Sequence, residues 1–194
     1  MIIELKYLRK KVCGEWLKLF EPFAKLDVDK AFKNRGEEYE WLYENSDYDL
    51  IAWQVENDSF DWKENSQYLA KYCPRCFNKE KFNWTKSSVY VLFYCPENFD
   101  ASKYNWKEDS SYIAKDFSEF FVPELFNWEE ESWTVAKYCS HLLDPELFNW
   151  EEYSWAVAKY CSERLNPDLY NWEDYTECVI AYCSQLLHLK PETL

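Results

Sequence analysis

The chain has 194 residues, 47% hydrophobic and 21% aromatic, with a formal net charge of −14. That much apolar material argues against disorder, and two glycines, Gly14 and Gly36, are too few for a phosphate-cradling loop or a dinucleotide fingerprint. No run of about 18 apolar residues occurs, so no membrane span is expected, and so acidic a balance disfavours nucleic acid and anionic membranes as partners.

Residues 1–38 follow no repeat. The stretch "IIELKYLRKKVCGEWLKLF" has helical periodicity and is expected to form an N-terminal helical cap. Glu4 and Lys6 stand where a signal peptide would need an apolar run, which predicts an unprocessed, cytoplasmic protein. This segment is nearly neutral, with 9 Lys/Arg against 7 Asp/Glu. Residues 39–194 hold 13 Lys/Arg against 29 Asp/Glu, a net of −16. Such a charge attracts basic partners, or serves solubility alone.

Residues 39–194 read as one continuous array, with a degenerate first copy starting at Tyr39, Glu40 and Trp41. A tryptophan then recurs every 22 residues, at Trp62, Trp84, Trp106, Trp128, Trp150 and Trp172. An Asn or Asp precedes each of them. A hydroxyl follows at +4 (Ser66 to Thr176), an aliphatic residue at +7 (Leu69 to Val179) and Cys or Phe at +11 (Cys73 to Cys183). Phe or Leu follows at +15 (Phe77 to Leu187). These offsets fall on one side of a helix and do not share the parity of a strand. The β-like stretch Ser87 to Cys95 is therefore read as helix, in register with its siblings. Tyrosines at +3, +6 and +10 give the helix further apolar faces, and lysines at +9 mark its outer ridge.

Each helix has a written start. Asn127 with Glu130, Asn149 with Glu152, Asn171 with Asp174, Asn105 with Glu108 and Asp61 with Glu64 form variants of the capping box. Acidic first turns also suit the helix dipole. Pro74 and Pro96 at +12 predict a stop just after the Cys column. Asp144-Pro145 and Asn166-Pro167 predict a second, shorter helix start in each unit. The expected unit is a helix of about 12 to 14 residues, a turn, and about one turn of short helix. No such unit buries its own apolar surface, so the units must stack. The fold expected is an all-α solenoid of about six to seven repeats, capped at the N-terminus, with "HLKPETL" closing the other end. Over roughly residues 39 to 190 the array resembles the leucine-rich-variant and HEAT classes of α-solenoid in architecture only; no motif carries functional residues across.

Candidate chemistry is sparse. Five of the eight cysteines share a column with Phe117, which reads as core packing in reduced form. The lone CxxC, Cys73 to Cys76, has no second pair, and His141 and His188 are the only histidines, so neither metal nor cofactor is expected. Glu129/Glu130, Glu151/Glu152 and Glu173/Asp174 repeat from unit to unit, whereas a catalytic pair is normally unique. A non-enzymatic protein is predicted. The +5 column is variable, and Trp133 and Trp155 are bulky departures there that pack between units or serve as aromatic anchors. Together with those six carboxylates they are the candidate partner-binding residues. The expected function is protein binding along the solenoid's concave side, as an inhibitor or immunity-type protein. Its acidic groups would cover the basic, nucleic-acid-binding surface of a nuclease or similar enzyme, without contacting nucleic acid or membrane. A structural or adaptor scaffold with an unrelated partner, and a carboxylate enzyme in the groove, are the competing readings.

Overall fold

The computed structural model describes residues 2–4, 25–27 and 50–191. The chain divides into two compact units, Met1–Phe99 and Asp100–Leu194. Where a helical cap is expected, Ile2–Glu4 (β1) and Lys25–Asp27 (β2) instead pair as antiparallel strands, Ile3 opposite Leu26. The β-branched Ile2 and Ile3 suit that extended pairing. The rest of the expected cap, and the start of the degenerate copy at Tyr39 to Trp41, lie outside the described residues.

The first unit continues with α1 (Leu50–Glu56), α2 (Trp62–Tyr72) and α3 (Trp84–Tyr94). The second holds α4 (Trp106–Asp116), α5 (Trp128–Tyr138), α6 (Trp150–Tyr160) and α7 (Trp172–Cys183). The fold of the array is an all-α solenoid of 22-residue units. Within each unit of the fold, successive repeat helices pack side by side: α2 on α3, and α4, α5, α6 and α7 in series. Ser87 to Cys95 is helical up to its C-cap, as its register requires.

Helices α2 to α6 are 11 residues long, shorter than expected. The +11 residue ends them. Cys139 has φ −143° and ψ 49°, outside the helical region, while its N–H still bonds the Val135 carbonyl. A three-residue 3₁₀ turn follows at once, for example Ser140–Leu142. The second helix expected at Asp144-Pro145 does not form. The Asp144 side chain accepts from the Glu146 N–H (2.9 Å) and its carbonyl from the Phe148 N–H (2.9 Å), closing a turn. Short polar side chains before proline bond their own backbone in this way and so favour turns over helix.

The tryptophan side of each helix faces the core. All six +7 residues, Leu69 through Val179, are 0% exposed. Cys73, Cys95, Cys139, Cys161 and Cys183 are buried, while the bulkier Phe117 is only half-buried. An additional aromatic column lies two residues before each Trp: Phe60, Phe82, Tyr104, Phe126, Phe148 and Tyr170, all buried. Each meets its own Trp ring, as in Phe126–Trp128 at 5.1 Å and 64°. Such edge-on contacts add about 0.5–1.5 kcal/mol beyond burial. From Trp84 onward each indole N–H then reaches back five residues, Trp128 to the Pro123 carbonyl (2.8 Å) and Trp150 to that of Pro145 (2.9 Å). The loop between units is thereby held by the helix that follows it.

Candidate partner-binding face

The polar columns of the repeat tie neighbouring helices together. The Ser132 hydroxyl donates to the Trp128 carbonyl one turn back and accepts from the Asn149 amide of the next repeat (3.0 Å). Ser110 serves Asn127 and Ser154 serves Asn171 in the same way, each at 3.0 Å. Each asparagine also works in two directions. Asn149 Oδ1 accepts from the Glu152 N–H and caps its own helix (3.2 Å). Its Nδ2 donates to the Glu129 carbonyl of the helix before (3.0 Å). Asn171 repeats this with Asp174 and the Glu151 carbonyl.

The capping box is correspondingly altered. The cap's backbone N–H goes to the preceding repeat's serine, so the Glu130 carboxylate takes Asn127 Nδ2 instead (3.1 Å). Asp174 takes Asn171 Nδ2 (2.9 Å). Asn105, also expected to cap, makes no side-chain cap bond; its carbonyl accepts from the Glu108 and Asp109 N–H groups instead.

These bonds decide where the candidate acids go. With the first turns of α5, α6 and α7 pinned side by side, Glu129, Glu130, Glu151, Glu152, Glu173 and Asp174 fall along one edge of the second unit. All six are exposed. Among the described residues, none of their carboxylates lies within ion-pair distance of a Lys or Arg. The tyrosines at +3 add further ties, Tyr153 and Tyr175 donating to the Glu130 and Glu152 carbonyls at 3.0 Å. In α5 that position holds Glu131, whose Oε2 is buried with no hydrogen-bond partner. Burial, with Glu130 adding to it, pushes the Glu131 pKa up.

The edge is acidic from α5 to α7; the first turn of α4 holds Lys107 beside Glu108. At the matching positions of the first unit stand Lys63, Glu64, Thr85 and Lys86, and Lys86 pairs with Glu64 at 3.1 Å. Lys63, Lys81 and Lys86 line an open depression of about 480 Å³ with Trp62, Asn83 and Thr85.

Trp133 and Trp155 are half-buried, on the outer side of α5 and α6, one turn beyond the acids. Each ring rests on the tyrosine five residues on: Trp133–Tyr138 at 6.5 Å and Trp155–Tyr160 at 6.2 Å. Of the +10 tyrosines read from sequence as an apolar inter-helix face, Tyr72 is half-buried against the core, whereas Tyr94, Tyr160 and Tyr182 are exposed, as is Tyr138 at the same position of α5. Lysines alternate with them. Lys137 Nζ sits 4.7 Å from the Tyr138 ring centre and 5.5 Å from that of Tyr160. Lys159 Nζ sits 5.1 Å from Tyr160 and 5.5 Å from Tyr182. This cation–aromatic ladder was not among the candidate residues, although the recurring Lys-Tyr pair at +9 and +10 is its signal.

The buried thiols are poor nucleophiles. Burial pushes Cys95 and Cys139 up to about 11 and Cys161 to about 12. Among the described residues, no group of three or more His, Cys, Asp or Glu is arranged to hold a metal, and no helix is long and apolar enough to cross a membrane. What the face offers is charge, aromatic area and hydrogen-bond acceptors on a rigid frame. No protein family, curated protein or solved structure matches this chain.

Proposed function

We propose that this chain is an acidic helical-repeat protein-binding module, an inhibitor or immunity-type protein that occupies a basic, nucleic-acid-binding surface of its target. The observation that carries this reading is the row of six exposed carboxylates on the adjacent first turns of α5, α6 and α7, unneutralised by Lys or Arg among the described residues. With the helix starts tied by side-chain-to-backbone hydrogen bonds between helices, the row keeps its backbone spacing without a partner, so less ordering cost falls on binding. A row of fixed negative charge speeds encounter with a basic face, and salt weakens the complex. Trp133 and Trp155, half-buried beside the row, supply rigid aromatic area at its margin. No catalytic step is assigned to the carboxylates. None of the seven described cysteines is disulfide-bonded, which suits action in the reducing cytoplasm.

The test is affinity capture on the immobilised chain at low and high salt, beside the variant E129K/E151K/E173K. These side chains make no cap bond, so the frame survives the change. Basic nucleic-acid enzymes should be captured at low salt, released at high salt, and not retained by the variant. Partners retained at high salt and by the variant would reject the acidic row as the contact. The exposed Lys137/Tyr138/Lys159/Tyr160 ladder favours one second reading, an adaptor whose partner docks there; capture lost with Y138A/Y160A but not with the charge variant would select it.

A further inference from the structure

The thiols of "CPRC" are placed unlike any other pair in the array. Cys73 ends α2 as its C-cap, 1% exposed, its N–H bonded to the Leu69 carbonyl. Pro74 then opens the 3₁₀ turn Pro74–Cys76, closed by the Cys76 N–H on the Cys73 carbonyl (2.9 Å). That tight turn brings the second sulfur back against the first. Cys73 Sγ and Cys76 Sγ lie 3.0 Å apart, within hydrogen-bonding contact, and the two are not bridged.

Cys76 packs against the core of the first unit, but packing alone does not call for a cysteine there. At the matching place the other repeats carry Asn98, Phe120, Leu142, Arg164 and Leu186, so the position accepts an amide, an aromatic ring, an alkyl chain or a guanidinium. The exposures also differ. Cys76 is half-buried and reachable, while Cys73 is closed off. An outer thiol that meets the reagent and an inner one that resolves the adduct are what disulfide exchange needs.

We propose that Cys73 and Cys76 form a reversible disulfide by exchange with a low-molecular-weight disulfide of the glutathione class. The Cys76 thiolate, its proton given to solvent, attacks one sulfur of the oxidant and expels one thiolate, leaving a mixed disulfide on Cys76. Cys73 Sγ then attacks Cys76 Sγ, its proton passing to the departing second thiol. Two protein thiols are oxidised and one small disulfide is reduced to two thiols. The bond would fix the end of α2 beside Phe77, whose ring packs on Phe82 (4.7 Å) and Trp84 (5.8 Å) of the next repeat. The redox state of the pair therefore reaches the junction of α2 and α3.

The test equilibrates the full chain across ratios of reduced to oxidised glutathione, quenches with N-ethylmaleimide in denaturant, and maps cysteines by mass spectrometry. The peptide spanning Cys73 and Cys76 should become about 2 Da lighter and unalkylated as the ratio turns oxidising, and revert with reductant. Cys95, Cys139 and Cys161 should stay alkylated. C73S should hold a lasting glutathione adduct on Cys76. C76S should leave Cys73 alkylated at every ratio. A stable glutathione adduct on Cys76 of the unmodified chain, or alkylation of both thiols at every ratio, would overturn the proposal. The unmodified chain alone decides it even if C73S folds poorly.

Discussion

Replacing Ser132 with alanine tests whether the repeat is stitched together by its hydroxyl column. Ser132 is 0% exposed and bonds both the Trp128 carbonyl and the Asn149 N–H. Losing the first bond costs little, because a helical carbonyl at that place already accepts the backbone N–H four residues on. Losing the second leaves the cap N–H of the next repeat unpaired beneath the stack. An orphaned buried donor costs about 1–3 kcal/mol. The bond is only part-buried, so about 1.5–2 kcal/mol is expected for Ser132→Ala. Thr176 is the internal control. It makes the same bond to its own Trp172 carbonyl, but among the described residues it accepts from no following cap. Thr176→Ala should cost less than about 1 kcal/mol. Urea unfolding followed by tryptophan fluorescence measures both; for Ser132→Ala the midpoint should fall by about 1 M at unchanged slope. Equal losses for the two variants would refute the inter-repeat role, since only Ser132 has a donor to abandon.

Further outcomes follow from the buried polar groups. Glu131 carries a raised pKa caused first by burial, so its charged form is penalised in the folded state. That penalty is absent well below the ordinary value of 4.5 and grows as pH rises through the raised folded value. Glu131→Gln should therefore raise the melting temperature near neutral pH, with the gain fading toward pH 4.5; a gain flat across that range would exclude titration of Glu131 as its source. Glu131→Tyr should stabilise as well, by supplying the phenol that Tyr153 and Tyr175 use to bond the preceding helix at 3.0 Å. Cys139 and Cys161, pushed up to about 11 and 12, should alkylate at pH 8 at least about 100-fold more slowly in the native chain than in urea. Comparable native and unfolded rates would mean that these thiols are reached without opening the stack.

Much of this architecture is legible because one residue pattern is written repeatedly. Five offsets of helical spacing outweigh the local strand preference of Val89, Tyr90 and Val91, and the chain is helical there. The residues that start each helix are legible too, since a cap is a contact within three residues. The direction of its spare bonds is not. That Asn149 Nδ2 turns to the Glu129 carbonyl, and that the serine column receives the next cap's N–H, depends on a neighbour 17 to 20 residues away. The aromatic column at −2 is visible in every "FNW" and "YNW", yet its burial depends on how the inter-repeat turn folds under the helix. The short helix is misplaced in the sequence reading because Asp144 and Pro145 suit both a helix start and a turn, and the 3₁₀ segment after Cys139 had already used the available length.

For the candidate site the division is similar. The sequence by itself determined which residues are acidic, that they recur in the first turn of successive helices, and that the Trp-to-Cys side faces inward, because periodicity and capping are local properties of the chain. Only the tertiary structure decided that the carboxylates stand exposed along one edge and that Tyr138, Tyr160 and Tyr182 lie outside rather than between helices. Each of those depends on which groups of neighbouring segments find one another on packing, and hydrogen bonds between residues far apart in sequence have no signature in either segment alone.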